Sequence, residues 1–192
     1  MIATPGGRAA HSAALARRVC HGVPAPAKLR RVTAALEALV SEADIAVRER
    51  RWDDAARLLE AVLVQDPAHL RALDNLGYVR FFQGSYAEAE QACRRALALS
   101  PDHAYAHKGL GLCLARQGHL DEGVVSLERA IALEPSWLDP YWDLAIVLME
   151  AGELDRATRT TERGAAAVPA ARTRFAKLAA EIGRGPRPAG GR

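Results

Sequence analysis

From Leu36 to Ala171 the chain repeats one arrangement of hydrophobic and polar positions at a fixed interval. A polar turn comes first, read as "RERRWDDA", "FQGSYAEA", "RQGHLDEG" and "EAGELDRA". A run with apolar residues at helical spacing follows, read as "ARLLEAVLVQDP", "AEQACRRALALSP", "GVVSLERAIALEP" and "ATRTTERGAAAVP". Each run stops at a proline, and Pro67, Pro101, Pro135 and Pro169 stand thirty-four residues apart. Proline has no amide hydrogen to donate and cannot continue a helix, so it closes each unit. The interval predicts two helices per unit and an all-α chain, because β-branched and aromatic residues are too sparse for sheet.

Small residues recur at fixed offsets within the period. The second unit carries Leu73, Leu76, Gly77, Gly84, Tyr86, Ala89, Cys93, Ala96 and Pro101. The third carries His107, Leu110, Gly111, Gly118, Leu120, Gly123, Leu127, Ala130 and Pro135. The fourth carries Tyr141, Leu144, Ala145, Gly152, Leu154, Ala157, Thr161, Gly164 and Pro169, and the first Leu39, Glu42, Ala43, Arg50, Trp52, Ala55, Leu59, Val62 and Pro67. Small side chains at the eighth and twentieth positions let paired helices approach, and glycine at the fifteenth permits the positive φ that ends the first helix. This pattern resembles the tetratricopeptide repeat. The resemblance implies a right-handed α-solenoid of antiparallel helix pairs, in which each unit buries its apolar face only against its neighbours.

The expected organisation is a basic, disordered extension over 1–27, a lead-in helix with a degenerate first repeat over 28–69, and repeats over 70–103, 104–137 and 138–171. A capping helix over 172–183 and a disordered basic tail over 184–192 complete it. Phe175, Leu178, Ala179 and Ile182 occupy the offsets of a fifth first helix with no second helix after it, the form of a terminal cap. A few positions depart from the pattern. Arg80 stands where the resemblance implies an aromatic and must pair with an acid or snorkel. Glu42 and Arg50 replace leucine and glycine in the first repeat, while Thr161 and Gly164 predict a weak last helix.

Charge changes the picture only when the chain is divided. The net charge of +3 sums an acidic middle with two basic ends: residues 1–36 carry +6, residues 37–171 carry −8 and residues 172–192 carry +5. A basic total therefore does not mark the repeats as a nucleic-acid-binding domain. The first 27 residues lack the apolar core of a secretory signal, and no apolar run is long enough to span a membrane, so the expected compartment is the cytoplasm. Three cysteines at unrelated spacings argue against a disulfide framework.

Candidate chemistry is sparse. His103 and His107 are four residues apart, but one falls in the turn between repeats and the other in the next helix, with no third ligand near; they read as capping or packing residues. "GLGLC" from Gly109 lacks a preceding strand and a third glycine, so it is no phosphate loop. Cys93 and Cys113 fall in apolar patterns as small core residues. No catalytic constellation, metal site or cofactor is expected, and the chain reads as a non-enzyme.

The positive signal is a groove. The resemblance implies that first-helix positions 2, 5, 9, 12 and 13 line the concave face. These are Arg71, Asp74, Tyr78, Phe81 and Phe82, then Tyr105, Lys108, Leu112 and Arg116, then Asp139, Trp142, Ile146 and Met149. Their aromatic and apolar character predicts a protein-interaction scaffold that takes a peptide or helix of another protein. The clamp of Lys, Asn and Arg by which chaperone-binding members of that family hold a carboxylate is matched here only at Asn75, with Val40, Asp44, Tyr105 and Gly109 at its other positions, and the asparagine ladder of glycosyltransferase-type members needs more than Asn75. Within the scaffold class a secretion chaperone is an alternative. A second is nucleic-acid or anionic-surface binding through the basic ends, with the repeats as spacer or dimer platform. A homo-oligomer stays open.

Overall fold

A computed structural model of the chain describes residues 27–184. The expectations for the extension before residue 27 and for the tail after Arg184 lie outside the described residues. The chain divides into two units, Met1–Glu37 and Ala38–Arg192. The described part of the first is the opening of helix α1 (Ala27–Arg48); the second holds the rest of α1 and every later helix.

Unit two is an all-α solenoid with no strand among the described residues. It continues through α2 (Trp52–Gln65), α3 (Leu70–Phe82), α4 (Tyr86–Leu99), α5 (Ala104–Arg116), α6 (Leu120–Leu133), α7 (Leu138–Glu150) and α8 (Leu154–Ala167). A single 3₁₀ turn, Pro169–Ala171, then leads into α9 (Arg172–Ile182). Each helix packs on the next from α2 to α9, and α5 also touches α3 and α7, so the first helices of successive repeats stand side by side.

The thirty-four-residue period is written into the backbone. Gly84, Gly118 and Gly152 end their helices at φ 78°, 87° and 80°, and Arg50 takes the same left-handed turn at φ 57°. Each is followed by an amide that closes the helix end: Arg51, Ser85, His119 and Glu153 donate to the carbonyls of Ala46, Arg80, Leu114 and Leu148 at 2.8–2.9 Å. The first repeat therefore keeps its turn although arginine replaces glycine. Glu42, its other departure, stays exposed.

Close helix approach rests on the small residues. A Cβ added at Gly111 would lie 2.7 Å from the carbonyl oxygen of Gly123, and one at Gly123 2.8 Å from that of Gly111, so α5 and α6 meet backbone to backbone. Ala43, Ala55, Ala89, Ala145 and Ala157, at the equivalent offsets, are fully buried. Arg80 pairs as its position demands: its guanidinium contacts Glu60, donates to Gln83 Oε1 at 3.1 Å and lies 2.9 Å from Glu88.

The last second-helix, whose composition is weak for a helix, is formed and rests on the helix that follows it. α8 runs its full 14 residues, and the Thr160 and Thr161 hydroxyls donate back to the carbonyls of Arg156 and Thr158 at 2.8 and 2.7 Å. Gly164 has a packing role: a Cβ there would stand 2.4 Å from a ring carbon of Phe175. Phe175, Leu178 and Ile182 of α9 are each 1% exposed and join a core cluster with Leu127, Leu144 and Leu148. No helix among the described residues is long and apolar enough to cross a membrane.

Candidate functional site

Three first helices, each turning one face the same way, enclose a cavity of about 220 Å³. α3 supplies Asp74, Gly77, Tyr78, Phe81 and Phe82; α5 supplies Tyr105, Lys108, Gly109, Leu112, Cys113 and Arg116; α7 supplies Asp143, Ile146 and Val147. The spacings of three and four residues follow from 3.6 residues per turn, which brings these positions onto one stripe of each helix. Cys93 reaches up from α4 to form the floor. Its sulfur fits because both helices above it carry glycine: a Cβ at Gly109 would approach it to 2.8 Å and one at Gly77 to 3.3 Å.

One end of the cavity is aromatic. Tyr78 and Phe82 lie 4.6 Å apart between ring centroids, and Trp52 of α2 stacks on Phe82 at 5.3 Å and 12°. Phe81 turns to Tyr86 at 5.3 Å. Tyr78 and Phe82 remain 39% and 52% exposed, which is unusual for apolar rings that have already clustered. Toward the other end Tyr105 stacks on Trp137 at 6.1 Å, and the Lys108 ammonium lies 5.9 and 5.5 Å from the two ring centroids.

Charge in the cavity is held by a few groups. The Lys108 ammonium lies 3.2 Å from Asp143 Oδ2, off the hydrogen-bonding direction, so that oxygen has an ion-pair partner and no hydrogen bond. Asp74 Oδ2 meets His103 Nε2 at 2.8 Å, while its buried Oδ1 has no partner. Burial pushes both carboxyls above the usual carboxylate range, against the opposing pull of His103 on one and Lys108 on the other. Burial, and after it the charge of Asp74, also pushes the Tyr105 hydroxyl up. Cys93 and Cys113 are free and buried, and a hydrogen bond between them, then burial, drives the Cys93 thiol up and away from thiolate chemistry.

Most of the residues expected at the groove meet at this cavity: Asp74, Tyr78, Phe81, Phe82, Tyr105, Lys108, Leu112, Arg116 and Ile146. Four do not line it. Arg71 pairs with Asp44, which also accepts a 2.6 Å hydrogen bond from Asn75. Asp139 is exposed at the start of α7. Trp142 packs on Phe175 of the cap at 6.1 Å, with the Arg174 guanidinium 5.1 Å from its ring centroid, and Met149 packs against the terminal core. Conversely, Gly77, Cys93, Gly109, Cys113, Asp143 and Val147 line the cavity without having been expected at the groove. The stripe turns along the solenoid, from positions 5, 8, 9, 12 and 13 on α3 to positions 6, 9 and 10 on α7, whereas a fixed set of offsets assumes no turn. The histidine pair is apart: His107 Nε2 lies 2.9 Å from the Pro101 carbonyl oxygen. Among the described residues no group of three or more His, Cys, Asp or Glu is placed to hold a metal.

Comparisons with known proteins bear on the fold. The family described as tetratricopeptide repeat matches residues 40–104, 75–140 and 114–182. No curated protein matches the chain. Among solved structures, the thermophilic TPR protein TTC0263 of Thermus thermophilus is similar with 22% identity and a TM-score of 0.66, over 78% of this chain and 84% of that one. MamA of Desulfovibrio magneticus RS-1 is similar with 21% identity and a TM-score of 0.59, over 78% and 76%. A variant of the Thermobaculum terrenum O-GlcNAc transferase is similar with 29% identity and a TM-score of 0.65, over 69% of this chain but 26% of that one.

Proposed function

The chain belongs to the tetratricopeptide repeat family, whose fold is a scaffold for protein–protein interaction, and on that premise we propose that it binds a peptide segment of a partner protein in the cavity between α3, α5 and α7. The observation that carries this reading is the exposed pair Tyr78 and Phe82 at the rim of a concave, mainly apolar cavity. Large rings left in water beside a hollow are what a docking peptide would cover, and aromatic anchors concentrate binding energy. The module acts without catalysis and in the cytoplasm. Its likeness to the O-GlcNAc transferase spans about a quarter of that protein and brings no transfer chemistry into the reading.

The test uses a random octapeptide library with acetylated and amidated ends, passed over the immobilised full chain. Peptides retained by the natural sequence should be lost by Tyr78→Ala/Tyr105→Ala. Two aromatic anchors at about 2 kcal/mol each correspond to at least a hundredfold in Kd, even when their effects add imperfectly. Neither ring lies on the seam of Leu73, Val79, Leu110 and Leu114, so circular dichroism should be unchanged. A folded double variant that keeps its peptides would remove the groove reading.

A further inference from the structure

We propose that the cavity is built for a basic side chain of the bound segment, arginine ahead of lysine, with Asp74 as its counter-ion and the rings of Tyr78 and Tyr105 as its walls. The inference rests on the peptide-groove reading and adds the chemistry of the residue that docks.

The cavity contains two buried carboxylate oxygens without a hydrogen bond, Asp74 Oδ1 and Asp143 Oδ2. A buried acceptor left unsatisfied is costly, so each calls for an explanation. Asp143 has one within the chain, because the Lys108 ammonium lies 3.2 Å away and is itself held over the Tyr105 and Trp137 rings. Asp74 has none. His103 occupies its other oxygen at 2.8 Å, the side chain as a whole is 16% exposed, and the unpartnered Oδ1, itself buried, belongs to a residue that lines the hollow. A donor arriving from a ligand would complete it.

The surroundings specify what kind of donor. Tyr78 and Tyr105 line the cavity with Asp74, and the field of Asp74 already reaches the Tyr105 hydroxyl. The two cations of the lining are already paired, Lys108 with Asp143 and over the Tyr105 ring, and Arg116 with Glu150, so the open aromatic face near Asp74 is that of Tyr78. Such a face attracts a cation, and a planar guanidinium stacks on a ring better than a compact ammonium does. The stem of such a side chain is apolar, as are Leu112 and Ile146, which share the lining. A ligand carboxylate would instead meet Asp74 in a poorly hydrated hollow, the reverse of a carboxylate clamp.

The same end-blocked octapeptide library tests the inference, since only side chains can then carry charge. Retained peptides should be enriched in arginine and, less strongly, in lysine. In a retained peptide, replacing the arginine by citrulline keeps its shape and removes its charge. That change, or Asp74→Asn in the protein, should raise Kd by about tenfold to a hundredfold, as expected for a charged hydrogen bond. Asp121→Asn, an exposed acid outside the cavity, should change nothing. The citrulline arm decides the question with the natural protein if Asp74→Asn fails to fold. Peptides lost by Tyr78→Ala/Tyr105→Ala that show no basic enrichment, or are indifferent to citrulline, would overturn this inference and leave the groove reading in place. Retention no greater than that of the double variant would remove both.

Discussion

Gly164→Ala inverts the usual sign of a helix substitution. In an open helix interior, alanine in place of glycine stabilises by about 1 kcal/mol, since glycine surrenders more backbone freedom on folding. Position 164 lies within the 14 residues of α8, so propensity alone predicts that gain. The structure predicts a loss. The new Cβ would stand 2.4, 2.7 and 2.8 Å from three carbons of the Phe175 ring, far inside van der Waals contact. That ring is 1% exposed and fixed by Tyr141 at 6.5 Å and Trp142 at 6.1 Å, so it cannot swing aside without disturbing the cap. Overpacking of this kind costs about 1–3 kcal/mol, which cancels the propensity gain at its low end and at its high end leaves a net destabilisation of about 2 kcal/mol; contacts as short as these belong at the high end. Urea denaturation followed by circular dichroism reads the effect. Phe175→Leu in the Gly164→Ala background should recover part of it, giving a coupling between the two sites. A higher urea midpoint for Gly164→Ala, or strict additivity of the two changes, would refute the seating of Phe175 over α8.

Two other perturbations follow from the backbone and the cavity. Arg50→Gly should raise the urea midpoint, because a left-handed arginine costs about 1–2 kcal/mol and glycine returns part of that as chain entropy; an unchanged or lower midpoint counts against the turn at φ 57°. Asp74 holds its proton more tightly folded than unfolded, so between the ordinary carboxylate value and the raised one its contribution to stability falls as pH rises. The stability difference between Asp74→Asn and the natural protein should therefore shift in favour of the variant as pH rises above the ordinary carboxylate value, and a pH-independent difference would contradict the burial of that carboxylate.

The period was legible because its markers act locally. A proline ends a helix and a glycine accepts positive φ wherever they stand, so Pro67 through Pro169 and Gly84 through Gly152 locate their turns without tertiary information. Arg50 reads as a break in the pattern and is none, because three glycine-built turns and the stacked helices impose the same geometry on the fourth. Gly164 reads as weakness for a related reason: propensity describes the helix by itself, while the residue serves Phe175, eleven positions later on another helix. The groove was legible as a stripe but not at its edges. Trp142 and Ile146 are one turn apart on α7, yet the first packs on the cap and the second lines the cavity. That division depends on how far each helix has turned relative to the one before it, which offsets within a single repeat do not encode. Asp143 was passed over on the same ground, whereas Cys93, read as a small core residue of a second helix, is buried as expected and also lines the cavity.

The central claim is that binding resides in the hollow between α3, α5 and α7 rather than on the exposed apolar residues elsewhere. Val64 and Val125 are 82% and 69% exposed and line none of that cavity, which makes Val64→Ser/Val125→Ser the matched control. The decisive measurement is the Kd of one retained octapeptide, by fluorescence anisotropy, for the natural chain, for Tyr78→Ala/Tyr105→Ala and for this control. The account predicts a loss of at least about a hundredfold for the tyrosine pair and less than about twofold for the valine pair. Equal losses, or a larger one for the valines, would place the binding surface outside the groove.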